Sequence, residues 1–128
     1  MSETDEIPFG PGPLNGLLVL VAEDDAWTAE HISLILEEEG GRLLGPCRSV
    51  ARARDLLTRY EVQFVLIDLN LADNFADELI SDVVERQIPF VLITGYEAFP
   101  SNVDERAIAV LRKPFARRRL VELMSQFA

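Results

Sequence analysis

At 128 residues, 48% hydrophobic and 27% charged, the chain has the size and composition of one globular domain with a substantial core. A formal net charge of −10 and the lack of any apolar run of membrane-spanning length argue against nucleic-acid and membrane partners. The single cysteine, Cys47, excludes an internal disulfide; with an N-terminus unlike a signal peptide, it leads to the expectation of a cytoplasmic protein.

Residues 1–16 hold three prolines and three glycines and read as a flexible leader, with the folded domain expected over 17–128. Leu17 to Ala22 is an all-apolar run that reads as a strand buried on both faces, and it ends in Glu23-Asp24-Asp25. Asp25 is placed to cap a helix carrying Ala29, Ile32, Ile35 and Leu36 at helical spacing, stopped by Gly40-Gly41. Arg42-Leu43-Leu44 reads as a short strand closed by Gly45-Pro46. Ser49 then caps a helix to about Tyr60, with Val50, Ala53, Leu56 and Leu57 facing inward.

The run from Phe64 to Asn70 reads as the central strand and delivers a carboxylate, Asp68, at its C-terminal end. Residues 72–75 read as a loop. A helix from about Asp77 follows, with Leu79, Ile80, Val83 and Val84 apolar. Ile88 to Ile93 is the fourth apolar strand, ending at Thr94-Gly95. The stretch from Tyr96 to Arg106 is poorly patterned, so a helix there is short or mobile. Ala107 to Leu111 gives a fifth strand, followed by Lys113-Pro114. A last helix from about Ala116 to Phe127 keeps Leu120, Leu123 and Phe127 apolar and presents Arg117, Arg118 and Arg119.

Strands alternating with helices predict an α/β, doubly wound parallel sheet of five strands with helices on both faces. Right-handed crossovers bring all the strand C-termini to one edge, where such sheets bind ligands. Glu23, Asp24, Asp68, Thr94 and Lys113 each fall at or just past a strand end. Three carboxylates gathered at one point repel one another and need compensation. Oxygen ligands without a neighbouring histidine or cysteine suit Mg²⁺, which takes one or two carboxylates together with waters and phosphate oxygens. With a lysine ammonium and a threonine hydroxyl, the set can bind a phosphoryl group, and Asp68 is the candidate nucleophile for an aspartyl phosphate.

These elements, in this order, resemble the receiver domain of response regulators in two-component signalling, and the resemblance covers Leu17 to Ala128. It implies the flavodoxin-like strand order 2-1-3-4-5. It also implies that Asp68 accepts a phosphoryl group from a histidine kinase or a histidine phosphotransfer protein. By the same resemblance Glu23 and Asp24 hold Mg²⁺ together with Asp68 and the backbone carbonyl of Asn70, while Thr94 and Lys113 bind the phosphoryl oxygens. The expected chemistry is phosphoryl uptake and self-dephosphorylation, with no further enzymatic activity.

The family usually carries an aromatic switch residue in the fifth strand, where this chain offers only Val110 and Leu111. Phe90 with Thr94-Gly95-Tyr96 resembles a largely alphaproteobacterial, single-domain subgroup that lacks that aromatic, although Leu92 and Ile93 stand where the subgroup prefers Phe-Ala. The switch is therefore expected in Tyr96 and the stretch Gly95 to Arg106, mobile at rest and ordered when Thr94 follows the phosphoryl group. Asn70 and Tyr96 are the expected flanks of the hydrolytic water. Arg117, Arg118 and Arg119 lie where receivers present an output surface. Because the chain ends with its last helix, output is expected to pass to a downstream protein target, and homodimer formation is compatible with that reading.

Two other functions use similar parts. A haloacid-dehalogenase-like phosphatase also has a strand-end aspartate nucleophile, but it needs an acidic proton donor two residues on, where this chain has Asn70. A phosphate-independent adaptor could keep the fold, but the intact set of acids, threonine and lysine argues against it.

Overall fold

The computed structural model describes residues 12–71, 76–95 and 106–128. Its centre is a five-stranded parallel sheet in the order β2-β1-β3-β4-β5, built from β1 (Leu18–Ala22), β2 (Arg42–Cys47), β3 (Phe64–Asp68), β4 (Phe90–Thr94) and β5 (Ala109–Arg112). The helices are α1 (Ala26–Glu39), α2 (Val50–Arg59), α3 (Ala76–Glu85) and α4 (Arg117–Ser125). This is the expected flavodoxin-like arrangement. The strands β1, β3 and β4 are buried along their whole length, which explains their unbroken apolar sequence.

Strand alternation divides the core in two. Leu20, Val65, Ile67 and Leu92 pack with the inward residues of α2 and α3. Val21, Leu66, Ile93 and Leu111 pack with Ile32, Ile35 and Leu36 of α1 and Leu120, Leu123 and Met124 of α4. The helix starts follow from their caps. The Asp25 carboxylate accepts from the Thr28 N–H at 2.9 Å, and the Ser49 hydroxyl accepts from the Arg52 N–H at 3.2 Å. Gly40 ends α1 at φ 91°, a left-handed conformation that favours glycine.

Three local expectations change. Gly45-Pro46 does not close β2. The strand continues to Cys47 through a bulge, because Leu20 pairs with Leu44 while Ala22 pairs with Cys47. Gly45 adopts φ 103° there, and as an edge strand β2 can accommodate a proline. The fifth strand lies two residues later than its start suggested, since pairing of Val91 with Ala109 and of Thr94 with Arg112 sets its register. Finally, part of the stretch read as a flexible leader is packed. Leu14 is fully buried against α1, its N–H donates to the Glu39 carbonyl at 3.0 Å, and the Gly16 N–H donates to the Gly40 carbonyl at 2.8 Å. The turn at 12–16 thus covers the C-terminal end of α1. The loop read at 72–75 and most of the stretch between β4 and β5, with the helix expected there, lie outside the described residues.

Candidate functional site

Parallel register brings the polar residues to one level. Ala22 pairs with Ile67, so Glu23 and Asp68, the next residues on their strands, stand side by side. Asp68 pairs with Ile93 and Thr94 with Arg112, which carries Thr94 and Lys113 to the same edge. The Lys113 Nζ donates to Glu23 Oε2 at 3.0 Å and to Asp68 Oδ2 at 3.2 Å. Backbone groups position both acids. The Asp25 N–H donates to Glu23 Oε2 at 3.0 Å, and the Asn70 N–H donates to Asp68 Oδ1 at 2.9 Å. The Lys113 N–H donates to the Thr94 carbonyl at 2.8 Å, tying the ends of β4 and β5 together.

Glu23, Asp68 and Thr94 are only 1–2% exposed, whereas Asp24 is half-buried and opens toward solvent. Burial, reinforced by the neighbouring Asp68, pushes the Glu23 carboxyl up to about 8, against the opposing effects of Lys113 and the Asp25 N–H. Burial works against charge on Lys113 as well, but Glu23 and Asp68 outweigh it and hold the ammonium above its ordinary range. One ammonium therefore serves two buried acids. Glu23 Oε1 is the one buried side-chain polar atom among the described residues with no hydrogen-bond partner.

That orphaned oxygen fits a cation. Oxygen atoms of Glu23, Asp24 and Asp68 lie within 4.8 Å of one another, all of them hard donors. Beside them opens a cavity of about 610 Å³ whose lining includes Asp24, Asp68 and Lys113 together with Trp27, His31 and Phe115. Sequence reasoning did not single out Trp27 or Phe115. The signal was present in the spacing of Trp27 and His31, four residues apart on one helix face, and in an aromatic two residues after Lys113. His31 is exposed and stacks on Phe115 with ring centroids 5.5 Å apart.

The proposed output residues are not one surface. Arg117 is half-buried and forms a fork to α1, from Nε at 3.1 Å and Nη2 at 2.7 Å to Glu39 and from Nη1 at 2.5 Å to Glu38. Only Arg118 and Arg119 are exposed as expected. The difference arises because the start of α4 packs beside α1, whose last turn is acidic. Tyr96 lies outside the described residues, as does the stretch through residue 105 in which the switch was expected.

A parallel sheet that gathers buried acids, a threonine and a lysine at its C-terminal edge defines a phosphoryl-accepting signalling module. The model of the response regulator receiver domain family matches residues 19–125, and the chain belongs to that family, whose members act as phospho-acceptors in two-component signalling. The chain is 26% identical over 107 residues to the transcriptional regulatory protein PdtaR of Mycobacterium tuberculosis; the match covers 80% of this chain and 52% of that protein. It thus spans about half the length of the curated relatives it matches. Among solved structures it is similar to a response regulator receiver protein from Burkholderia phymatum, with TM-score 0.72, 24% identity and coverage of 88% and 97% of the two chains. It is also similar to the receiver domain of the PhyR response regulator from Erythrobacter litoralis, with TM-score 0.76, 21% identity and coverage of 90% and 92%. No described helix is long and apolar enough to cross a membrane.

Proposed function

We propose that Asp68 is the phospho-acceptor, charged by the phosphohistidine of a histidine kinase or histidine phosphotransfer protein. The observation that carries this reading is the buried trio of Asp68, Glu23 and Lys113, in which one carboxylate oxygen has no partner. Asp68 Oδ1 is held by the Asn70 N–H and Oδ2 by Lys113, so the carboxylate is oriented before a donor arrives. Lys113, reaching the cavity from the end of β5, offsets the negative charge that the phosphoryl group adds. Thr94 offers its hydroxyl to a phosphoryl oxygen.

Mg²⁺ is the cation this donor set fits, held by Glu23, Asp24 and Asp68 with the backbone carbonyl of Asn70. When bound, it neutralises charge shared between the acids and the phosphoryl oxygens. In this reading the protein works in the cytoplasm and passes its state to a downstream protein target. The switch runs through Thr94 and the stretch that begins at Gly95, because no aromatic stands in β5 to report the phosphoryl group.

The test is intact-protein mass spectrometry after exposure to a phosphodonor with Mg²⁺. One phosphoryl adduct is expected on the native protein, none on Asp68→Asn, and none after EDTA. An adduct that persists in Asp68→Asn, or one that maps to His31, would overturn the assignment.

A further inference from the structure

Lys113 is the chain's only lysine, and its Nζ meets two acids at once, Glu23 at 3.0 Å and Asp68 at 3.2 Å. Its four-carbon stem is flexible, so the ammonium stays between them only if the backbone beneath it is fixed. One side is fixed by β4, through the Lys113 N–H and the Thr94 carbonyl. The other side has no strand, because β5 is the last of the sheet and ends at Arg112. Two residues past Lys113, Phe115 is half-buried and packs against the core that α1 and α4 share. Its ring stacks on His31 of α1, with centroids 5.5 Å apart and planes 19° apart. His31 is exposed, and an imidazole suits that place because it offers an apolar face and a polar edge. The same helix holds the other partner. Asp25, the N-cap of α1, donates its N–H to Glu23 Oε2, the oxygen that also accepts from Lys113. Thus α1 holds Glu23 at its start and Phe115 about 9 Å further along.

We propose that His31 is a positioning residue for phosphoryl uptake. By stacking on Phe115 it fixes the turn that carries Lys113, and so keeps the ammonium at Glu23 and Asp68. The proposal rests on Asp68 being the phospho-acceptor and adds a residue that acts on the reaction only through Lys113. The role uses the ring face and no proton, so another aromatic ring serves as well. What His31 controls is where Nζ rests, not whether the domain folds.

Because there is one lysine, labelling with ¹⁵N-lysine gives a single side-chain ammonium signal by NMR. A held ammonium exchanges its protons slowly with water, and the metal-free native protein is expected to show that signal. His31→Ala is expected to lose it to exchange. The same variant is expected to slow phosphorylation of Asp68 by acetyl phosphate with Mg²⁺ about 2- to 10-fold, the range that one aromatic pair supports. His31→Phe is expected to keep both the signal and the rate. Leu34→Ala removes an exposed apolar side chain of α1 that does not line the cavity, and it is expected to change neither. A native signal or a native rate in His31→Ala would overturn the positioning role and leave the phospho-acceptor reading intact. An equal loss in His31→Phe would do the same, since that variant retains a ring. Native protein that takes no label at Asp68 would overturn the two together.

Discussion

Two clusters in this molecule share the same count of one cation to two acids and have opposite character. Lys113 with Glu23 and Asp68, and Arg117 with Glu38 and Glu39, each set one cation against two acids. Around Arg117 the carboxylates keep access to solvent and the guanidinium fork fits them directly, so nothing is left unmet. Around Lys113 the two acids are buried, one carboxyl is pushed well above its ordinary range, and one oxygen has no partner. Burial, not the number of charges, separates a fastening between helices from a site that calls for a cation and an anionic ligand.

The sharpest way to break the comparison is to remove the cation from each cluster. Lys113→Met leaves the buried Asp68 carboxylate without its ammonium, beside a Glu23 that keeps its proton up to about pH 8, and is expected to cost about 3 kcal/mol in urea unfolding of the metal-free protein, the scale seen when a buried pair loses one partner. Added Mg²⁺ is expected to recover part of that loss. An equal loss with and without Mg²⁺ would show that the ion does not bind among these acids.

Asp24 is the solvent-facing acid of the trio and the natural point of entry for a cation. Asp24→Asn is expected to weaken Mg²⁺ binding by roughly tenfold or more, since even outer-shell partners cost 10–100-fold when lost. Isothermal titration would measure this directly, and an unchanged affinity would remove Asp24 from the site.

Acidity sharpens the contrast further. In the metal-free fold Glu23 holds a proton up to about pH 8, whereas in the unfolded chain it has released it above the ordinary 4.5. The folded state thus binds more protons in that window. This contribution to stability is complete below about 4.5 and is lost as pH rises through about 8. Mg²⁺ needs the ionised carboxylate, so its affinity is expected to rise with pH toward 8, by up to about tenfold per unit. Glu23→Gln is expected to remove this dependence; a slope that survives in the variant would assign it to another group.

The smallest effect is expected at the exposed cluster. Arg117→Ala is expected to cause a slight loss of stability that disappears at high salt, with no change in the rate of phosphoryl uptake. A slower uptake would make Arg117 part of the signalling machinery instead of a tie between α4 and α1.

How far the sequence could be read follows the same division by burial. Strands β1, β3 and β4 are buried on both faces, so each position must be apolar until the chain reaches the edge, and the first polar residue stands out. Glu23, Asp68 and Thr94 were legible for that reason, and with Lys113 they made the family recognisable. The caps Asp25 and Ser49 were legible because capping is local chemistry within three residues.

What the sequence could not determine depends on neighbours distant along the chain. The bulge at Gly45 and the late start of β5 are settled by pairing with β1 and β4, and a half-exposed edge strand carries little pattern of its own. Leu14 belongs to the core because the C-terminal end of α1 offers Glu39 and Gly40 carbonyls to the turn that carries it. Arg117 looks like its neighbours Arg118 and Arg119 in sequence, and only the packing of α4 beside α1 turns it to the acids of another helix. The aromatic lining of the cavity arises the same way. Trp27, His31 and Phe115 come from two separate segments, and tertiary structure alone sets them beside Asp68.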